Sequence, residues 1–186
     1  MKNYIMSVHE TTKLILNKMI DATEIERFSK SDTRWAKWKN KDFNRKTKYK
    51  KGTIYQIDFG KNFVPEMSYE HRGLVIGTNK QLLYVLPIYT YRSHKHNDIY
   101  HPDTNPKGNQ YLLKASDYQF IKHDSLLKLN DLRTISTKRI IYEQKDGFID
   151  SNSSEFKTIL ELVATKYFPT IMYEFKNLQQ TVMTDN

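Results

Sequence analysis

Apolar positions in the middle of the chain fall into three short stretches that predict consecutive β-strands. The stretches are 54–59, 74–76 and 82–88, and they share a content of Ile, Leu, Val and aromatic residues. Glycines bound the first two of them. Short runs of this composition, separated by glycine, are typical of strands. The sequence therefore predicts a small sheet at the centre of the domain.

Before this sheet the apolar positions take on the period of a helix. Apolar residues between 14 and 20 recur at helical spacing and predict a helix over 8–22. A second helix is expected over 24–28, interrupted and then resumed near Trp35. Neither helix is apolar enough to form a core alone, so we expect both to pack on the sheet or on a partner.

Beyond the three strands the pattern predicts more sheet and then a helix. Residues 111–113 and 118–121 are expected to be strands, and 122–143 is expected to continue the sheet. Residues 156–168 are spaced as on an amphipathic helix, and a short helix is expected over 172–178. The fold class predicted from these elements is α+β, mainly β.

A long loop is predicted over residues 91–109, which contain two prolines, one glycine and several Asn and Asp residues. Loops of more than about 12 residues in a compact domain are usually functional or mobile. His94, His96 and His101 raise the possibility of a metal site there. No fixed spacing or acidic partner supports a metal site, so a loop that lines a substrate site is favoured.

Composition limits the class of protein. At 186 residues the chain is long enough for one domain with an appendage, which we place at 1–48, before a barrel domain at 49–186. No apolar run approaches about 20 residues, so no membrane-spanning helix is expected. The first residues do not resemble a signal peptide, and a cytoplasmic location is expected. With no cysteine, disulfides and thiolate metal sites are excluded.

The charge of the chain favours a polyanionic partner. The formal net charge is +9 and the isoelectric point is about 9.5, which indicates nucleic acid or an anionic membrane surface. Residues 34–51 carry nine Lys or Arg against one Asp, interleaved with four aromatic residues: Trp35, Trp38, Phe43 and Tyr49. Cations attract phosphates, and aromatic rings stack on unpaired bases. A solvated lysine-rich linker, anchored by its aromatic residues, is an equal alternative.

Four segments in this order resemble the MazF/PemK family of toxin endoribonucleases. They are K-K-G-T-I-Y-Q-I-D-F-G at 50–60, E-M-S-Y-E-H-R-G-L-V-I-G at 66–77, V-L-P-I-Y-T at 85–90 and L-N-D-L-R-T-I-S-T-K-R-I at 129–140. The resemblance extends from residue 49 to residue 168, or about two thirds of the chain. The N-terminal 45 residues and the 91–109 loop have no counterpart in it.

The resemblance implies a fold and an activity. The fold would be a small SH3-like β-barrel, here with an N-terminal helical extension and a C-terminal helix, and usually dimeric. The activity would be metal-independent, sequence-preferring cleavage of single-stranded RNA, without a cofactor, to 2′,3′-cyclic phosphate and 5′-OH ends. The implied partners are single-stranded RNA, a second copy of the chain and an antitoxin protein that inserts into the RNA groove.

The resemblance also implies site residues. Much of the family has Arg-Pro before the second strand, where this chain has His71 and Arg72. The catalytic role carries over to His71, with Arg72 as an alternative, and the Thr or Ser that ends the third strand corresponds to Thr90. The candidate RNA contacts are Lys48, Lys51, Arg92, His94 and Arg133.

The chemistry of His71 and Arg72 suits this reaction on its own terms. Metal-free RNA cleavage needs a base, an acid and cations, and imidazole has a pKa near operating pH while guanidinium fits phosphate. We expect His71 to be the acid or base, and Arg72 to stabilise phosphate or to pair with Glu70 or Glu66. Neighbours on a strand point to opposite faces, so only one would face a groove unless both lie in the loop.

Two other interpretations are left open by the sequence. One is a non-catalytic barrel protein that binds nucleic acid or a protein target, either as a gyrase-poison-like protein or as a regulator. The other is a nucleic-acid-binding adaptor that works through residues 34–51. A satisfied structural role for His71 is the corresponding alternative at the level of the site.

Overall fold

The structure is a computed structural model that describes residues 10, 12–14, 17–18, 21–40, 42, 48–142, 145–169 and 173. Its elements, in chain order, are α1 (Ala22–Lys39), β1 (Thr53–Asp58), β2 (Glu70–Asn79), β3 (Leu82–Thr90), β4 (Gln110–Leu113), β5 (Ser125–Lys128), β6 (Arg133–Ser136), a 3-10 helix (Thr137–Arg139), β7 (Gly147–Phe148) and α2 (Ser154–Tyr167). No helix among these is long and apolar enough to cross a membrane.

All strand pairs are antiparallel, and β3 pairs with three other strands. One edge of β3 pairs with β2, and the other edge pairs with β6 along its first half and with β5 along its second half. After β6 the chain returns to β1, where Ile57 and Ile140 form an isolated bridge and the Ile141 N–H donates to the Gln56 carbonyl over 2.9 Å. Strands β1, β2, β3 and β6 thereby close into a small barrel.

The two faces of the curled sheet bury two separate cores. The inner core of the barrel consists of Tyr55, Ile57, Phe59, Val75, Leu83, Val85, Ile135 and Ile140. The outer face packs against α2, whose Phe156 and Ile159 lie against residues such as Ile54 and Leu74. Adjacent residues Leu74 and Val75 are therefore both fully buried, one in each core. Apolar runs without alternation are expected from strands buried on both faces.

This architecture confirms the predicted fold class: a mainly β, small-barrel domain with an N-terminal helix and a C-terminal helix. Helix α2 begins after Ser153, whose hydroxyl accepts from the Phe156 N–H over 3.1 Å, as an N-cap does. Helix α1 begins after Asp21, which caps Thr23 N–H over 2.8 Å. The 91–109 loop lies between β3 and β4, as predicted.

Two details of the prediction are wrong. Helix α1 is continuous through residues 29–34, since that stretch contains no Gly or Pro and its Ser31 is buried against the barrel. Residues 118–121 form turns instead of a strand. The reason is that Leu113 pairs directly with Ser125, so the intervening residues can only connect β4 to β5. The helices expected over 8–22 and 172–178 lie largely outside the described residues.

Candidate active site

A groove of about 490 Å³ lies where β2 begins and β3 ends. The last β2–β3 pair is Arg72 with Ile88, so His71 and Thr90 come just beyond it on neighbouring strands. The residues that line the groove come from α1, the sheet and the 91–109 loop: Arg27, Gln56, Glu70, His71, Arg72, Ile88, Tyr89, Thr90, Arg92, Lys95, His96 and Ser125.

The groove has the electrostatic character of an anion site. Four cationic side chains, those of Arg27, Arg72, Arg92 and Lys95, line it against the single carboxylate of Glu70. That carboxylate is itself held by Arg34 over 2.5 Å. Guanidinium and ammonium groups arranged in this way attract and bind phosphate oxygens.

His71 is half-buried in this groove, paired with Ile57 of β1 through the sheet. Burial lowers the pKa of His71, the cationic Arg27 lowers it further, and Glu70 opposes both. Its imidazole forms no hydrogen bond with any residue that the structure describes. A neutral imidazole with free nitrogens is able to accept a proton from a bound substrate.

Arg72 borders the same groove, but its guanidinium is held at the base of the sheet. Its Nε donates to the Asp146 carboxylate, and its Nη2 donates to the Phe120 carbonyl over 2.8 Å. The expected pairing of Arg72 with Glu70 or Glu66 is therefore wrong. The two glutamates pair with Arg34 and Arg133 respectively.

The 91–109 loop contributes Arg92, Lys95 and His96 to the groove. The Arg92 N–H donates to His96 Nδ1 over 2.9 Å, and the ring lies 5.2 Å from that of Tyr89. Since Nδ1 accepts this bond, a neutral His96 carries its proton on Nε2. The sequence grouped His96 with two other histidines, and nothing in it marked His96 as the one that reaches the groove.

The N-terminal helix contributes Arg27, which sequence reasoning missed. Arg27, Ser31 and Arg34 are spaced to lie on one face of α1. Ser31 donates to Asp58 Oδ1 over 2.9 Å, and Arg34 bonds to Glu70 over 2.5 Å. These two contacts dock the helix on the barrel and place Arg27 at the groove. The spacing of the three residues was the available signal, but their partners on the barrel are not visible in the sequence.

The eight predicted site residues divide into two groups. The groove brings together His71, Arg72, Thr90 and Arg92. The other four do not line it: Lys48, Lys51, His94 and Arg133. Arg133, at the start of β6, forms ion pairs with Asp131 over 2.6 Å and with Glu66, in the loop before β2, over 3.4 Å. The RNA contacts expected at these four positions stay predictions.

Within the described part of the chain, no group of three or more His, Asp or Glu residues is placed to hold a metal ion. His101, one of the three loop histidines, instead accepts from the Asp103 and Thr104 N–H groups over 3.2 Å.

Comparison with known proteins yields a likeness at the level of structure only. No family model matches the chain, and no curated protein matches it either. Among solved structures, the Mycobacterium tuberculosis toxin MazF-mt6 is similar, with a TM-score of 0.41 and 11% identity over 62% of this chain and 95% of that chain. A likeness of this size does not carry over a residue or an activity.

Proposed function

We propose that this protein is a metal-independent endoribonuclease that cleaves single-stranded RNA to 2′,3′-cyclic phosphate and 5′-OH ends. The observation that carries the proposal is the half-buried imidazole of His71, which lies in a groove with an excess of cations. This imidazole forms no hydrogen bond with any residue that the structure describes. The resemblance of four sequence segments to MazF/PemK toxins supports the same reaction.

The groove residues divide the work of the reaction. His71 takes the proton from the 2′-OH, whose oxygen forms a bond to phosphorus as the bond from phosphorus to the 5′-oxygen breaks. Arg27, Arg92 and Lys95 stabilise the charge that builds up on the phosphate. Thr90 donates a hydrogen bond to a phosphate oxygen. The Nε2–H of His96 hydrogen-bonds to the departing 5′-oxygen, which takes its proton from water in the open groove.

A cleavage assay with end-group analysis tests the proposal. Purified protein is incubated with a long single-stranded RNA in EDTA, beside the variants His71→Ala and His101→Ala. His101 is the matched control, since it is an exposed histidine outside the groove. We expect recurring cuts with 5′-OH ends from the wild type and from His101→Ala, and none from His71→Ala. Full activity of His71→Ala would refute the site, and intact RNA with the wild type would refute the activity.

The biological role proposed with this activity is that of a toxin. An antitoxin protein would block the groove, the protein would act as a homodimer in the cytoplasm, and cleavage would prefer a short sequence. Induced expression of the wild type should arrest growth, whereas expression of His71→Ala should not. Light scattering, which measures the mass of the purified protein in solution, tests the expected dimer.

A non-catalytic barrel protein is the second candidate, and one contact favours it. The Arg72 guanidinium already bonds to Asp146 and to the Phe120 carbonyl, so the cation that follows His71 in the chain is not available to phosphate. On this alternative the groove binds RNA or a protein target without cutting. RNA that shifts in a gel with the wild type while staying intact would favour it over the nuclease.

A further inference from the structure

A second cleft, of about 460 Å³, separates the C-terminal half of α1 from the barrel. We call it the tryptophan cleft. Trp35, Trp38 and Lys39 line it from the helix, and Lys61, Lys138 and Arg139 line it from the barrel. It shares no lining residue with the groove around His71. Its volume is in the range of about 300–1,000 Å³ that is common for sites that bind small ligands.

The aromatic wall of this cleft is open to solvent. Trp35 is 58% exposed, so its ring is accessible to a ligand in the cleft. Trp35 and Trp38 are three residues apart on α1, so their rings lie on the same side of the helix. The Lys39 ammonium lies 5.0 Å from the centre of the Trp35 ring. Unpaired bases stack on exposed aromatic rings, and a cation over a ring can add to the attraction for a nucleotide.

The charges of the cleft favour an anionic ligand. Four cations, Lys39, Lys61, Lys138 and Arg139, line it against Asp32 and Asp58. Both carboxylates already have partners within the protein. Asp32 accepts from Lys61 over 2.5 Å, and the buried Asp58 accepts from Ser31 over 2.9 Å. The cleft therefore combines an apolar aromatic surface with a net positive rim.

We propose that the tryptophan cleft binds an unpaired nucleotide of single-stranded RNA, with a base stacked on Trp35 and the adjoining phosphate near Lys39 and Lys138. The choice of RNA as the ligand rests on the proposed function, but the cleft is a site separate from the one where the bond is cleaved. A strand held at both sites would pass the N-terminal helix, which borders both the groove and the cleft.

Intrinsic fluorescence tests this directly, because the two tryptophans of the chain both line the cleft. The His71→Ala protein, in EDTA, is titrated with a labelled oligouridylate, with a duplex of the same length and with the corresponding DNA strand. Anisotropy of the label measures total binding, and tryptophan emission measures occupation of the cleft. We expect saturable quenching by the single-stranded RNA at the concentrations at which anisotropy rises.

Variants then locate the contact. Trp35→Ala should weaken binding by about tenfold, the usual loss for one stacked base, while Trp35→Phe should retain most of it. Lys39→Gln should weaken binding, and Lys37→Gln is the matched control, on the same helix but outside the cleft. Circular dichroism checks that each variant is folded.

Three results would overturn the inference. The first is RNA binding by anisotropy without any change in tryptophan emission. The second is equal weakening by Lys37→Gln and Lys39→Gln. The third is quenching by the duplex or the DNA strand as strong as that by the RNA. Because the titration needs no cleavage, a protein that cuts no RNA but shows the expected quenching would refute the nuclease and leave this inference in place.

Discussion

Ser31 of α1 and Asp58 of β1 are joined by a buried hydrogen bond of 2.9 Å between Ser31 Oγ and Asp58 Oδ1. The same carboxylate oxygen accepts from the Gly60 N–H over 2.9 Å. Arg34 approaches the other oxygen at 3.5 Å. The end of β1 thereby fastens the N-terminal helix to the barrel, next to the groove that holds His71.

Replacement of Asp58 should loosen this attachment and destabilise the fold. Asp58→Ala leaves the buried Ser31 hydroxyl and the Gly60 N–H without their partner, and each unsatisfied group costs about 1–3 kcal/mol. We expect the free energy of unfolding, measured with urea, to fall by about that amount or more. Asp32→Ala is the control, since Asp32 forms an exposed pair with Lys61 that should be worth at most about 1 kcal/mol. Equal losses in both variants would contradict the docking role.

Removal of Arg27 should slow RNA cleavage without unfolding the protein. A hydrogen bond to a charged group is worth about 1.5–3 kcal/mol, so Arg27→Ala should lower kcat/KM by about ten- to hundredfold. The pKa of His71, followed by NMR, should rise in this variant because a nearby cation is lost. Lys30→Ala removes the same charge from the same helix but outside the groove. If Lys30→Ala has the same effects, Arg27 has no specific role.

The pH dependence of cleavage should reflect the lowered pKa of His71. Burial and Arg27 lower it from the ordinary value of about 6.5, and a base works only when neutral. Activity should therefore rise with pH through a pKa below that value and stay high above it. If activity instead rises with pH through a pKa above the ordinary value, the assignment of His71 as the base is contradicted.

The same group should make folding stability depend on pH. Because the pKa of His71 is lower in the folded than in the unfolded state, the unfolded state binds more protons between the two values. The stability contributed by neutral His71 is thus complete above the unfolded pKa and declines as pH falls towards the folded pKa. Urea unfolding of the wild type and of His71→Gln, from neutral to mildly acidic pH, should show a steeper decline in the wild type than in the variant.

Arg72 and Asp146 should behave as a structural pair. A double-mutant cycle with Arg72→Ala, Asp146→Ala and the combination should give a coupling of about 0.5–3 kcal/mol in the free energy of unfolding. The reason is that Arg72 Nε bonds to the Asp146 carboxylate in a partly buried position. Additive losses would mean that the pair contributes nothing to stability. If Arg72→Ala cleaves RNA poorly while Asp146→Ala is fully active, the result would indicate that Arg72 contacts the phosphate of the substrate.

The sequence predicts what is local and misses what depends on distant partners. Strands β1, β2 and β3 and helix α2 are marked by their own apolar patterns, and each is found where it was expected. The partner of Arg72 was missed because Asp146 is 74 residues away in the chain. Residues 118–121 have a strand-like composition, but the register of β4 and β5 leaves them only the connection.

The residues of the candidate site also include some that the sequence predicted and some that it missed. His71 and Thr90 were predicted because they belong to segments with a family pattern, and the pairing of β2 with β3 brings them to one groove. Arg27 was missed because its position depends on contacts of Ser31 and Arg34 with the barrel. His96 was named but not singled out, since a loop carries no periodicity from which the direction of a side chain can be predicted.

The closure of the barrel at Ile57 and Ile140 brings the chain after β6 next to the strand pair that holds His71. The chain after β6 meets the second half of β1 through this bridge and through the hydrogen bond from the Ile141 N–H to the Gln56 carbonyl, while β7 pairs with the first half of β1. Ile57 also pairs with His71 across β1 and β2. Local opening of a fold starts where few backbone bonds hold it. Opening of the bridge between Ile57 and Ile140 would therefore disturb the strand beside the imidazole, and hydrogen exchange at the Ile141 amide would record that opening.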